Sequence, residues 1–178
     1  MSGSIEEWLG GKGCLVTGGS RTLGAVIARR MAHYGAQVAV NYHRSAQAAE
    51  ALCDEIRRAG GSALALQADV SSEADTERLV AQTLEHFGRI DVLVNNVGPY
   101  VDTPFLELPL ADFDHVLAGN VRATFMLTQL VGRHMKQRGS GQIINIAATD
   151  FRHRSHSVYG MAKGGIVYLT EALALELA

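Results

Sequence analysis

The sequence of 178 residues has two cysteines, three prolines and one tryptophan, and only 6% of it is aromatic. Cys14 and Cys53 are too few and too far apart for a disulfide scaffold or a zinc site. Glycine reaches 19 residues, but with so little proline neither a collagen-like nor a disordered chain fits. No charge of one sign dominates: 16 Lys and Arg stand against 18 Asp and Glu. Nothing basic points to nucleic acid or to an anionic membrane surface. The apolar stretches ending at Val40 and Val94 are of strand length, far below the ~18 residues of a membrane span. The stretch from Met1 to Gly13 contains Glu6 and Glu7 and lacks the basic start and apolar run of a signal peptide. These absences leave the expectation of one cytoplasmic domain over 1–178, an enzyme or a binding module, with no metal.

What is present is alternation. Apolar runs of strand length cover Gly13–Thr17, Gln37–Asn41, Ala63–Ala68, Ile90–Val94 and Gln142–Ala147. Between and after them lie helical patterns over Leu23–Gly35, Ala46–Ala59, Ser72–Phe87, Leu110–Arg138 and Val158–Leu177. Ser71 or Ser72 is placed to cap the third helix, and the long fourth one has a weak point near Gly119. Continuous apolar strands separated by helices predict an α/β fold, a Rossmann-like doubly wound parallel sheet covered on both faces. Ligands of such folds sit at the carboxyl ends of the strands. Cys14, within the first strand, reads as a small core residue.

The first strand ends in Thr17-Gly18-Gly19-Ser20-Arg21-Thr22-Leu23-Gly24. Gly18 permits a sharp turn, Gly24 permits close helix packing, and the helix's first N–H groups would face a pyrophosphate. This turn resembles the TGxxxGxG signature of the short-chain dehydrogenase/reductase family. Asn95-Asn96-Val97-Gly98 is similar to that family's NNAG, and Tyr159-Gly160-Met161-Ala162-Lys163 to its YxxxK. Asn120 falls in the long helix where the family keeps an Asn. The resemblance covers nearly the whole chain, with one departure in the turn: Thr22 stands at the second of three glycines and would crowd the loop.

The second strand leads into Asn41-Tyr42-His43-Arg44-Ser45, which carries no acid to accept from a ribose 2′-OH. Arg44 can pair with a 2′-phosphate, His43 and Ser45 can donate to it, and Arg21 lies in the neighbouring loop. The expected cofactor is therefore NADP(H). By resemblance, its contacts would be Gly18, Ser20, Arg21, Thr22, Leu23, Gly24, Tyr42, His43, Arg44, Ser45, Asp69, Val70, Asn96, Val97, Gly98, Tyr159 and Lys163. Asp69 would accept from the adenine amine.

Tyr159 and Lys163 are four apart and share a helix face. The Lys163 ammonium is expected to lower the Tyr159 pKa and ready it as a proton donor during hydride transfer. By resemblance, Lys163 would also bond the nicotinamide ribose and Asn120 would hold a water. The family's catalytic Ser would fall at Ala148, which has no hydroxyl; Thr149, placed slightly ahead of Asp150, would replace it. Tyr100 falls where pteridine reductases of this family carry a stacking aromatic. His153 and His156, with Arg152 and Arg154, form a basic loop expected to be solvated or to meet an anionic substrate tail rather than to hold a metal.

The implied activity is NADPH-dependent reduction of a small-molecule carbonyl, a 3-oxoacyl group or another ketone, or of a pteridine-like C=N bond. A catalytically impaired NADP(H)-binding regulator is the alternative, supported by the missing Ser; an unrelated doubly wound domain with chance motifs is a third. Family members pair through the two long helices, so a homodimer or homotetramer is expected. They also continue into a sixth strand, a substrate-covering segment and a seventh strand, which this sequence lacks. The expectation is a C-terminally truncated family domain with an exposed sheet edge and, if residue 178 is the true end, weak or absent catalysis.

Overall fold

In a computed structural model, residues 8–148 and 157–178 are described. Five parallel strands form one sheet: β1 (Gly13–Val16), β2 (Gln37–Tyr42), β3 (Ser62–Gln67), β4 (Val92–Asn95) and β5 (Gln142–Asn145). Their order is β3-β2-β1-β4-β5. The chain winds outward from β1 through β2 to β3, then crosses back to lay β4 on the other side of β1. That reversal opens a crevice at the carboxyl ends of β1 and β4.

Both faces of the central strands are apolar because both are covered. Cys14 and Val16 of β1 and Val38 and Val40 of β2 point to one side, where they pack with Ala28, Leu52 and Ile56. Those three belong to α1 (Thr22–His33) and α2 (Ala46–Arg58). Leu15, Ala39 and Leu93 point to the other side, against Leu79, Leu127 and Val131. These come from α3 (Glu73–Phe87) and α5 (Ala123–Arg138). Cys14 is fully buried, as a core residue should be. The expected strands and helices are all present, with ends shifted by one or two residues. Ser72, rather than Ser71, caps α3: its Oγ accepts from Asp75 N at 3.4 Å. Gly88, with φ 71°, ends that helix in the left-handed region.

The long helix expected from Leu110 is broken as its glycine suggested. α4 (Leu110–Leu117) passes into a π turn over Ala118–Arg122 before α5 begins. Gly119 permits this, since a Cβ there would lie 2.6 Å from the ring of Pro99. The extra residue rotates Asn120 inward. α6 (Val158–Leu177) packs on α4 through a small cluster of Val116, Val158 and Ala162. Among the described residues, β5 pairs on one side only, with β4, and no helix is long and apolar enough to cross a membrane.

At the opposite end of the sheet, Asp91 ties three elements together. Its Oδ2 accepts from Gly13 N at 2.9 Å and from Arg89 Nε at 2.6 Å, while Arg138 reaches Oδ1 at 3.3 Å. Burial pushes this carboxyl up, but the Arg89 and Gly13 hydrogen bonds prevail and hold it below the usual carboxylate range. A depressed folded-state pKa gives stability that is present above the unfolded value of ~3.9 and lost as pH falls through the folded value. Asp91→Asn is expected to lose about 1–3 kcal/mol at neutral pH. It should also flatten the acid limb of stability below about pH 4, as read by urea unfolding across pH. An unchanged acid limb would show that other carboxylates control it.

Candidate functional site

The turn after β1 is set by the strand beside it. The Thr17 hydroxyl donates to Val94 O at 3.3 Å and accepts from Asn96 N at 2.9 Å and Val97 N at 3.3 Å. Asn96 Nδ2 then donates to Thr17 O at 3.0 Å and Gly18 O at 3.2 Å. Gly18 turns at φ +57°, and a Cβ on Gly24 would lie 2.2 Å from Gly18 O, so α1 touches the turn backbone to backbone. Thr22 also sits at positive φ, 45°. Its side chain does not crowd the loop as expected but is exposed; the cost is a left-handed backbone that glycine would adopt freely.

α1 begins at Arg21 with no side-chain cap and no acid in its first turn. The N–H groups of Thr22, Leu23 and Gly24, in the first turn of α1 directly after the glycine turn, therefore lack intrahelical acceptors. A phosphate fits such a place. Arg44 and His43 are exposed just beyond β2. His43 Nε2 lies 3.9 Å from Asp69 Oδ2. Asp69 Oδ1 is taken by Ser71 N at 2.9 Å and Ser71 Oγ at 2.7 Å, which leaves Oδ2 for an outside donor. Burial works to raise the Asp69 pKa, but the Ser71 hydrogen bonds win and keep the carboxylate charged.

At the other end of the crevice, Ser157 caps α6 by accepting from Gly160 N at 3.4 Å. Tyr159 and Lys163 follow on one face of that helix. Lys163 is 2% exposed and its Nζ donates to Ile146 O at 2.7 Å, at the end of β5. The ammonium lies 5.4 Å from the Tyr159 ring centroid. Burial pushes the Tyr159 hydroxyl up and the Lys163 ammonium down. The expected lowering of Tyr159 by Lys163 is thus absent: the ammonium turns to the Ile146 carbonyl, and burial governs the phenol. Tyr159 remains a protonated donor at neutral pH.

Asn120 is fully buried; its Nδ2 donates to Val116 O at 2.9 Å and Pro99 O at 3.0 Å, while Oδ1 has no partner among the described residues. That oxygen and Lys163 Nζ flank Gly98, where a Cβ would meet them at 2.8 and 2.9 Å. Two donors orient the carboxamide and one acceptor is left over, so a polar ligand atom or water fits there. Tyr100 packs edge-on against Tyr159, with ring centroids 5.0 Å apart, and stays 60% exposed. Of the six expected catalytic or substrate positions, Asn120 and Lys163 flank Gly98, and Tyr159 packs between Lys163 and Tyr100. Thr149 and Asp150, and the basic residues Arg152, His153, Arg154 and His156, lie outside the described residues. Sequence reasoning passed over Thr17, Pro99 and the Ile146 carbonyl. A hydroxyl ending an apolar strand was the available signal for Thr17, whereas a backbone carbonyl leaves none.

The family model described as short chain dehydrogenase matches residues 12–178. A 3-oxoacyl-[acyl-carrier-protein] reductase from Synechocystis is 40% identical over 166 residues, 92% of this chain and 67% of that protein. Among solved structures, a 7α-hydroxysteroid dehydrogenase complexed with NADH and 7-oxo glycochenodeoxycholic acid aligns with TM-score 0.92 at 33% identity. It is covered over 69% of its length, by 99% of this chain. A short chain dehydrogenase from Burkholderia cenocepacia in complex with NADP aligns with TM-score 0.89 at 36% identity, over 95% of this chain and 69% of that one. The chain therefore spans about two thirds of the length of these proteins.

Gly98→Ala should force the Asn120 carboxamide or the Lys163 ammonium aside, at about 1–3 kcal/mol of folding stability. Chemical denaturation would measure it, and parent-like stability would show that the two side chains yield without cost.

Proposed function

The chain belongs to the short chain dehydrogenase family, and we propose that it is an NADP(H)-dependent oxidoreductase that reduces a small-molecule carbonyl, with Tyr159 as the proton donor. The observation that carries this is the meeting at Gly98 of the buried Lys163 ammonium and the spare Asn120 carboxamide oxygen, with the Tyr159 ring 5.4 Å from that ammonium. When bound, the dinucleotide supplies the hydride. The free N–H groups at the start of α1 would hold its pyrophosphate. Arg21 and Arg44, with no acid at the end of β2, favour a 2′-phosphate.

Tyr159 gives its phenolic proton to the substrate oxygen as the carbonyl carbon gains the hydride, so the C=O bond becomes C–O–H and a phenolate remains. The Lys163 ammonium stabilises that phenolate across the short gap between them and returns a proton to it. Asn120 Oδ1 would accept from a water beside Gly98 that links Lys163 to solvent. Thr149 or Asp150 would orient the substrate carbonyl.

A 3-oxoacyl thioester is the favoured substrate class, since the Synechocystis relative bears that name. A pteridine-like C=N substrate is a second possibility for one reason: the Tyr100 ring stands exposed beside Tyr159, available for stacking. The long helices expose Leu110, Phe125 and Tyr168, which supports pairing of two or four copies through them.

Tyr159→Phe is expected to lower NADPH oxidation by about 10²–10⁴-fold, with NADPH affinity within about twofold of the parent. Arg44→Ala should weaken NADPH about tenfold and leave NADH alone. Both are read by fluorescence titration and by turnover on 3-oxoacyl thioesters, simple ketones and pterins. Tight NADPH binding without turnover on any of them would favour a cofactor-sensing regulator instead.

A further inference from the structure

β2 carries a polar side chain into the core just where the turn after β1 folds over it. Asn41 is 1% exposed, and its three neighbours on the strand, Val38, Ala39 and Val40, are all apolar and buried. Its carboxamide is used on both sides. Oδ1 accepts from Gly18 N at 3.1 Å, and Nδ2 donates to Ala68 O at 3.1 Å. The Asn41 backbone carbonyl also accepts from Gly19 N at 2.8 Å. No charged or aliphatic side chain of this size offers an acceptor on one side and a donor on the other: Asp has no donor and Leu has neither.

We propose that Asn41 is a positioning residue for the dinucleotide, acting through Gly18 and Ala68. This rests on the cofactor assignment above. The Gly18 peptide is the softest point of the turn, since glycine at φ +57° has no side chain to limit rotation. Asn41 holds its N–H inward against β2, and Asn96 holds its carbonyl against β4. With that peptide clamped from both strands, the Gly18 N–H is removed from the phosphate-binding set. The first free N–H groups of α1 are left facing outward. Through Ala68 the same carboxamide sets the backbone that carries Asp69, at the adenine end. One buried amide thus orders both ends of the cofactor's adenylate half before it binds, and a turn ordered in advance binds more tightly than one ordered on contact.

Asn41→Leu keeps the volume and removes both hydrogen bonds. NADPH affinity, titrated where circular dichroism shows the variant folded, should fall about tenfold. In turnover assays KM for NADPH should rise with kcat at saturation unchanged. A variant that melts earlier but binds NADPH as the parent does would make Asn41 merely structural and overturn the proposal. Should the variant not fold, amide hydrogen exchange on the parent decides. The Gly18 amide should be protected before NADPH is added and change little afterwards, while those of Leu23 and Gly24 gain protection. A Gly18 amide that gains protection only with NADPH would point at the phosphate and overturn the proposal. A parent that binds no NADPH overturns the cofactor assignment, and this inference with it; the two failures are distinct.

Discussion

The Thr17 hydroxyl is the bond on which the crevice depends. It sits where β1 and β4 end side by side, and from the end of β1 it donates to the β4 carbonyl of Val94 and accepts from the two N–H groups that follow β4. Parallel strands run out of ladder hydrogen bonds at their carboxyl ends, so the next peptides must be satisfied by side chains or by water. Thr17 takes up those of Asn96 and Val97. Asn96 is thereby directed back onto the glycine turn, and Gly98 is delivered between Asn120 and Lys163. The glycine-turn and Tyr159 ends of the crevice are thus joined by a single short path from Thr17 to Gly98.

Along that path the chain uses glycine wherever backbone meets something that cannot move. Gly24 faces a carbonyl of the turn, Gly98 faces two buried polar side chains, and Gly119 faces the Pro99 ring. Thr22 is the exception that shows the rule. It holds the left-handed backbone of a glycine while carrying a Cβ, at a cost of order 1–2 kcal/mol. Strain of that kind persists only where the surroundings over-determine the conformation. Here they do: the clamps on Gly18 precede it and the packing of Gly24 against the turn follows it. The strained residue lies within the segment that presents free N–H groups.

Much of this was legible in the sequence because the underlying signals are local. Strands such as Gly13–Val16 and Val92–Asn95 are short, almost wholly apolar and bounded by turns, and helices end at Gly35 and Gly88 as their left-handed backbones require. The weak point at Gly119 became a π turn. What sequence could not show was which polar side chain reaches which backbone atom across a sheet. Asn41 and Gly18 are 23 residues apart and Thr17 and Asn96 are 79 apart; periodicity carries no information over such separations. The sign of the Tyr159 shift was misjudged for the same reason. Four residues on a helix promise proximity, but the Ile146 carbonyl just after β5 competes for the ammonium and burial decides the phenol.

That competition bears on how the pair works. A tyrosine held protonated suits a reductant's partner, because the proton is needed at the moment the substrate oxygen becomes basic and not before. Burial of Lys163 weakens its hold on a proton at rest, and a phenolate appearing at Tyr159 would restore it, since an opposite charge a few ångströms away favours the ammonium. In the proposed reduction the two residues would thus exchange roles through the electrostatics of burial rather than through a standing ion pair. Gly98 keeps that exchange possible by leaving no methyl group between Lys163 and the spare oxygen of Asn120.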